Sequence, residues 1–132
     1  MPFATFTDDL RLGHDRIDGQ HAALFETVNQ LHEALRIGSS RQELARILAF
    51  LRTYTVEHFQ TEEAFMRDTD YPGVAAHTAE HDGLVRQVKE LEEKHAAGSM
   101  TLSLTVMTFL KDWLEHHIGE VDRRLVAHLN TR

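Results

Sequence analysis

The 132-residue sequence contains no cysteine. Disulfides, iron–sulfur clusters, thiolate zinc sites and thiol nucleophiles are therefore excluded together. Any transition metal has to sit on imidazole and carboxylate. Proline occurs at only 2 positions, which suits a chain of long helices. No apolar run approaches the length of a membrane span, and the opening Met1-Pro2-Phe3-Ala4-Thr5 is not a signal peptide. The cytoplasm is the default expectation. Basic residues are in deficit, 14 Lys+Arg against 21 Asp+Glu for a net charge of -7, which argues against a nucleic-acid partner. With 42% hydrophobic and 27% charged residues, the composition predicts one folded domain over residues 1–132, long enough to bury a core without covalent staples.

What is present in excess is histidine, with 10 residues spread along the chain. Their placement follows from the helical pattern. An arm over about residues 1–18 carries Phe3, Phe6, Leu10, Leu12 and Ile17 without a sustained period. Asp18 is the expected N-cap of a first helix over about Gly19–Ile37, ended by Gly38-Ser39-Ser40. Ser40 with Glu43 spells a capping box that opens a second helix to about Arg67. Asp70-Tyr71-Pro72-Gly73 reads as a turn. A third helix covers about Val74–Ala96, and Ser99 or Thr101 caps a fourth over about Leu102–Leu129. Apolar residues recur at 3–4 spacing: Leu24, Val28, Leu31 and Leu35; Leu44, Ile47, Leu51, Thr55 and Phe65; Leu84, Val88 and Leu91; Val106, Leu110, Trp113, Val121 and Leu125. Short loops between long helices make sequential neighbours antiparallel. The fold class is all-α, an up-down-up-down four-helix bundle over 19–129 with an N-terminal arm.

Each stripe runs into histidine. His21 lies one heptad before Val28. Beyond Thr55 come His58 and Glu62, before Leu84 come His77 and His81, and after Trp113 comes His117. A single core histidine is ordinarily just hydrogen-bonded. The pairs His58/Glu62 and His77/His81 at i,i+4, with His21 and His117 on the other two helices, strain that simple reading, because so many buried imidazoles need a common partner. Five imidazoles plus carboxylate exceed one four-coordinate zinc. Two metals bridged by carboxylates fit better, and the ligand type suits iron. A ferritin-like di-iron site needs two Glu-x-x-His motifs. Only Glu92/His95 is available, at the frayed end of the third helix.

At this point the sequence resembles the hemerythrin family, in particular its single-domain bacterial members. The resemblance rests on Ile17-Asp18-x-Gln20-His21, His58-x-x-x-Glu62-Glu63-x-x-Met66, Tyr71-Pro72, His77-x-x-x-His81 and Trp113-Leu114-x-x-His117-Ile118-x-x-x-Asp122, and covers nearly the whole chain. It implies a centre of two non-haem iron ions with a bridging oxo or hydroxo group. His77, His81 and His117 would hold the closed iron, His21 and His58 the iron with an open position, and Glu62 and Asp122 would bridge both. Dioxygen is then the implied ligand, bound reversibly rather than turned over. Leu24, Phe59, Trp113, Leu114 and Ile118 are the expected wall of its pocket, with ordinary core packing as the other reading of the same residues. The family often carries Trp in the arm where Phe6 stands here, and Phe can fill the same packing role.

His117 and Asp122 stand five residues apart, about 140° round an ideal helix. Either Asp122 reaches the metals from another angle, or a π-bulge near Gly119 brings the two together. His14 is expected at the surface, or near the site where it would tune access. His32, His95, His116 and His128 are expected to face solvent or the rim. The implied role is oxygen carriage, storage or delivery, and not enzymatic. A sensory module on the same site is the alternative, disfavoured because Met1 and the last helix leave no room for an output domain. A di-iron enzyme or iron-handling protein ranks third, since no further acid–base residue near the open site is evident. No protein partner is indicated.

Overall fold

A computed structural model describes residues 3–98 and 103–131, and among them there is no strand. Four helical rods form a bundle: α1 (Asp15–Arg36), α2 (Arg41–Asp68), α3 (Val74–Ala97), and a fourth rod made of α4 (Leu104–His116), a π-helical segment (His117–Asp122) and α5 (Arg123–Leu129). A short 3-10 turn, Asp8–Leu10, lies in the arm.

The second helix starts as expected. Ser40 Oγ accepts the Glu43 N–H at 3.1 Å. Glu43 does not complete the capping box, because its carboxylate engages Arg46 one turn on. The third helix ends at Gly98, whose φ of 71° is the left-handed conformation that closes a helix on glycine. The expected caps Ser99 and Thr101 lie outside the described residues. Within them, Ser103 caps α4 through the Val106 N–H.

The first helix begins earlier than expected. Asp18 is not its N-cap but lies inside it, and its carboxylate reaches back to accept the N–H groups of Leu12, Gly13 and His14 at 2.9, 3.1 and 3.3 Å. Gly13, at φ 84°, makes the turn that presents those donors. His14 is the cap, its Nδ1 accepting the Ile17 N–H at 3.3 Å. The arm therefore ends four residues sooner than the sequence suggested. Its remaining length is fixed by Asn29, whose side chain bonds both the N–H and the carbonyl of Ala4 at 2.8 Å.

The core is broader than one seam per helix. Leu24, Val28, Leu31, Leu44, Ile47, Leu51, Leu84, Val88, Leu110, Val121 and Leu125 are buried as expected, and Phe25, Leu48, Met66 and Met107 join them. Leu35, Phe65, Leu91, Val106 and Trp113 are only partly buried. Each rod packs against more than one neighbour, so the inward face widens beyond a single stripe. Alternating chain direction has a consequence for function. It places the starts of α1 and α3 and the ends of α2 and the fourth rod at the same end of the bundle. All the stripe histidines lie there.

Candidate metal centre

Seven side chains meet at that end: His21 from α1, His58 and Glu62 from α2, His77 and His81 from α3, and His117 and Asp122 from the π-helical segment. Every one is buried. Their ligand atoms form two groups, each with all members within 4.8 Å of one another: Glu62, His77, His81, His117 and Asp122 in one, His21, His58, Glu62 and Asp122 in the other. The two carboxylates belong to both.

The sharing is divided oxygen by oxygen. Glu62 Oε1 lies 3.2 Å from His77 Nε2 and 3.0 Å from His81 Nε2, and Asp122 Oδ1 lies 2.9 Å from His77 Nε2 and 3.1 Å from His117 Nε2. The second oxygens face the other way. Glu62 Oε2 is 3.2 Å from His58 Nε2, and Asp122 Oδ2 is 2.9 Å from His21 Nε2. Each carboxylate thus presents one oxygen to a three-histidine pocket and one to a two-histidine pocket.

The fourth rod achieves this by leaving the α-helical repeat. Residues His117–Asp122 are π-helical, the irregularity expected from the five-residue spacing. In i→i+5 geometry a five-residue step closes roughly one turn, so Asp122 returns to the face that carries His117.

The rings are oriented from behind. His81 Nδ1–H donates to Glu63 Oε2 at 3.0 Å, His117 Nδ1–H to Glu80 Oε1 at 2.9 Å, and His58 Nδ1–H to Gln20 Oε1 at 2.6 Å. Such partners leave the Nε2 lone pair aimed inward. Two of those lone pairs, on His81 and His117, approach to 3.1 Å, an arrangement that needs a cation between them. Several inward atoms, namely His21 Nε2, His58 Nε2, Glu62 Oε2 and both Asp122 oxygens, come close to one another without hydrogen-bond alignment. They converge on common points rather than on each other. Buried polar atoms left in that state are destabilising unless an ion satisfies them, and imidazole with carboxylate is the donor set of a transition-metal ion. The residues fit the group.

The electrostatics agree. Burial pulls the His21 and His77 imidazoles down, yet the adjoining Asp122 and Glu62 carboxylates outweigh it and raise both to about 9. At His58 burial wins, and its imidazole is held below the ordinary value. Burial would push Glu62 and Asp122 up, but the surrounding histidines hold both well below the usual carboxylate range. The centre is built to keep two anionic carboxylates beside cations.

Of the expected pocket wall, Leu24, Phe59, Leu114 and Ile118 are buried and Trp113 is partly buried. Phe59 stacks on His81 with centroids 3.7 Å apart, and Trp113 stacks on His117 at 4.5 Å. Phe6 of the arm meets the edge of His21 at 6.5 Å. Beyond the cluster, His116 is exposed as expected, while His32 and His128 are half-buried, His32 against Phe3 of the arm. His95 is not solvent-facing. It is buried, with Nε2–H donating to the Arg41 carbonyl at 2.9 Å, and ties the end of α3 to the start of α2. His14 is a half-buried cap set edge-on to Phe65. Sequence reasoning assigned no role to Gln20, Glu63 and Glu80. A polar residue adjoining or near each ligand histidine was the available signal.

Fold and cluster together define a helical-bundle protein with paired histidine–carboxylate pockets able to hold metal ions. The family model described as Hemerythrin HHE cation binding domain matches residues 12–129. A bacteriohemerythrin of Methylococcus capsulatus is 40% identical over 106 residues, covering 80% of each chain. One of Stenotrophomonas maltophilia is 34% identical, covering 98% of this chain and 86% of its own. A solved wild-type hemerythrin superposes with a TM-score of 0.90 at 35% identity, over 96% of this chain and 98% of that one. The chain belongs to the hemerythrin family.

Proposed function

We propose that the chain binds dioxygen reversibly at a pair of iron ions. His77, His81 and His117 would hold one ion, His21 and His58 the other, with Glu62 and Asp122 bridging. The observation that carries this reading is the division of the two carboxylates, one oxygen of each toward either pocket, with three histidines on one side and two on the other. A two-histidine pocket between the same bridges is one donor short, which is where an outside ligand belongs. Held there, a pair of ferrous ions would supply the two electrons that reversible dioxygen binding withdraws and returns.

The chain's own residues provide the rest. Glu63, Glu80 and Gln20 hold the rings in register. Leu24, Phe59, Trp113, Leu114 and Ile118 keep bulk water from the centre, which protects a bound ligand from loss by protonation. Bundle and arm act as one domain, and among the described residues no helix is long and apolar enough to cross a membrane. The test is an iron count with optical spectra taken through repeated oxygen and argon cycles. Two irons per chain and a reversible charge-transfer band are expected. One iron or none, or sustained oxygen consumption with a reductant, would overturn the reading.

A sensory role gains support from one observation. The arm touches the site segment directly, with Leu10 against Gly119 and the Asp9 carbonyl on Arg123. Oxygen-dependent proteolysis of the arm would favour that role over storage or carriage.

A further inference from the structure

The two pockets differ in more than their histidine count. Behind the three-histidine pocket stand two carboxylates, Glu63 on His81 and Glu80 on His117. Behind the two-histidine pocket stands one neutral amide, Gln20 on His58, itself donating to Thr61 Oγ1 at 3.1 Å; one histidine in each pocket, His21 and His77, has no hydrogen-bond partner at Nδ1. Among the described residues neither Glu63 nor Glu80 forms an ion pair with Lys or Arg, so neither charge is cancelled locally. Both are partly shielded from solvent, at 24% and 39% side-chain exposure, so their fields reach the pocket with less screening than fully exposed charges. A hydrogen-bonded carboxylate also makes an imidazole a more basic ligand.

We infer that Glu63 and Glu80 are positioning residues that rank the two metal positions, so that the three-histidine pocket fills first and empties last. The inference rests on the paired-metal reading above. With Glu62 and Asp122 common to both pockets, the three-histidine side is favoured by one additional imidazole and by two additional negative charges. A chain short of metal would therefore hold one ion at His77, His81 and His117, with the two-histidine pocket completed only as supply rises. Ordered filling secures the end of the bundle before the exchangeable position forms.

The test uses the full chain loaded with cobalt(II) under anaerobic conditions. It is challenged with excess chelator while visible absorption is followed, and the chelator-treated chain is then titrated back. Wild type is expected to release one equivalent fast and one slowly, and to reload in two steps. Glu63→Gln/Glu80→Gln keeps a hydrogen-bond acceptor behind each ring but removes both charges. It should weaken the tighter step by roughly 10–100-fold and leave the weaker step unchanged. Gln20→Glu should tighten the weaker step and narrow the split from the other side, a gain that purely structural support would not give. His58→Ala should lose the weaker step alone. Two equal, simultaneous steps in wild type, or a split unchanged in both charge variants, would overturn the inference while leaving the paired site intact. A capacity of one ion in wild type would instead overturn the paired-metal reading.

Discussion

At the residue scale, two buried histidines with similar exposure have opposite meanings, and their partners separate them. His81 points Nε2 at Glu62 and His117 and backs Nδ1 onto Glu63. Nothing about its position suits a packing role alone. His95 gives Nε2–H to a backbone carbonyl and faces no carboxylate among the described residues. The paired alanine variants should therefore diverge. His81→Ala removes a proposed ligand and leaves buried unsatisfied groups, so metal content and thermal stability should fall together. His95→Ala should destabilise by about 2–4 kcal/mol through a cavity and the loss of the bond between the end of α3 and the start of α2, with metal content unchanged. Elemental analysis beside thermal melts reads both. Full metal loading in the first variant, or metal loss in the second, would reverse the assignment. Histidine count and stripe position singled out His81, whereas the burial of His95 depended on how two helix ends meet.

At the element scale, the fourth rod is the informative one. A regular α-helix would present His117 and Asp122 to different directions, and the π-helical segment removes that conflict. Deleting Gly119 would set His117 and Asp122 four residues apart, so that uninterrupted i→i+4 bonding would keep both on one face and leave Leu125 and Val126 in register with the core. Helical content by circular dichroism and two-ion loading should both persist in the deletion variant. A loss of loading after the deletion would show that the bulge does more than bring the two side chains to one face. The irregularity was legible as one of two readings, because two groups that the family resemblance makes ligands stand five residues apart, about 140° round an α-helix. The start of α1 was not. Asp18 has the composition of a cap, but its carboxylate is taken by three N–H groups of the preceding turn, and no local propensity weighs that alternative.

At the scale of the whole molecule, the centre links stability to pH and metal. In chelator-treated protein, His21 and His77 titrate near 9 against an ordinary 6.5. A raised folded value means their contribution is full below pH 6.5 and is lost as pH rises toward about 9. The lowered Asp122 works in the opposite direction, its contribution present above the ordinary carboxylate range and lost only in strong acid. His58, lowered by burial, subtracts below pH 6.5. The stripped chain should therefore melt at progressively lower temperature from pH 6.5 to 9. Loading at neutral pH should release about two protons per chain, because His21 and His77 must lose theirs to bind metal. Melts across that range and calorimetry in buffers of different ionisation enthalpy measure both. A flat profile with no proton release would show that the histidines are already neutral in the stripped protein.

The sequence by itself determined the helical rods, their antiparallel order and the inward His21, His58, Glu62, His77, His81 and His117, with Asp122 added by the family resemblance. Periodicity and turn chemistry are local properties, written within a few residues of where they act. Tertiary structure alone decided how each carboxylate divides its oxygens, which acidic residues stand behind which histidine, and that His14 and His95 are structural. Those outcomes depend on distances between rods. A side chain's environment there is set by residues far away in the chain, through packing that no local pattern encodes.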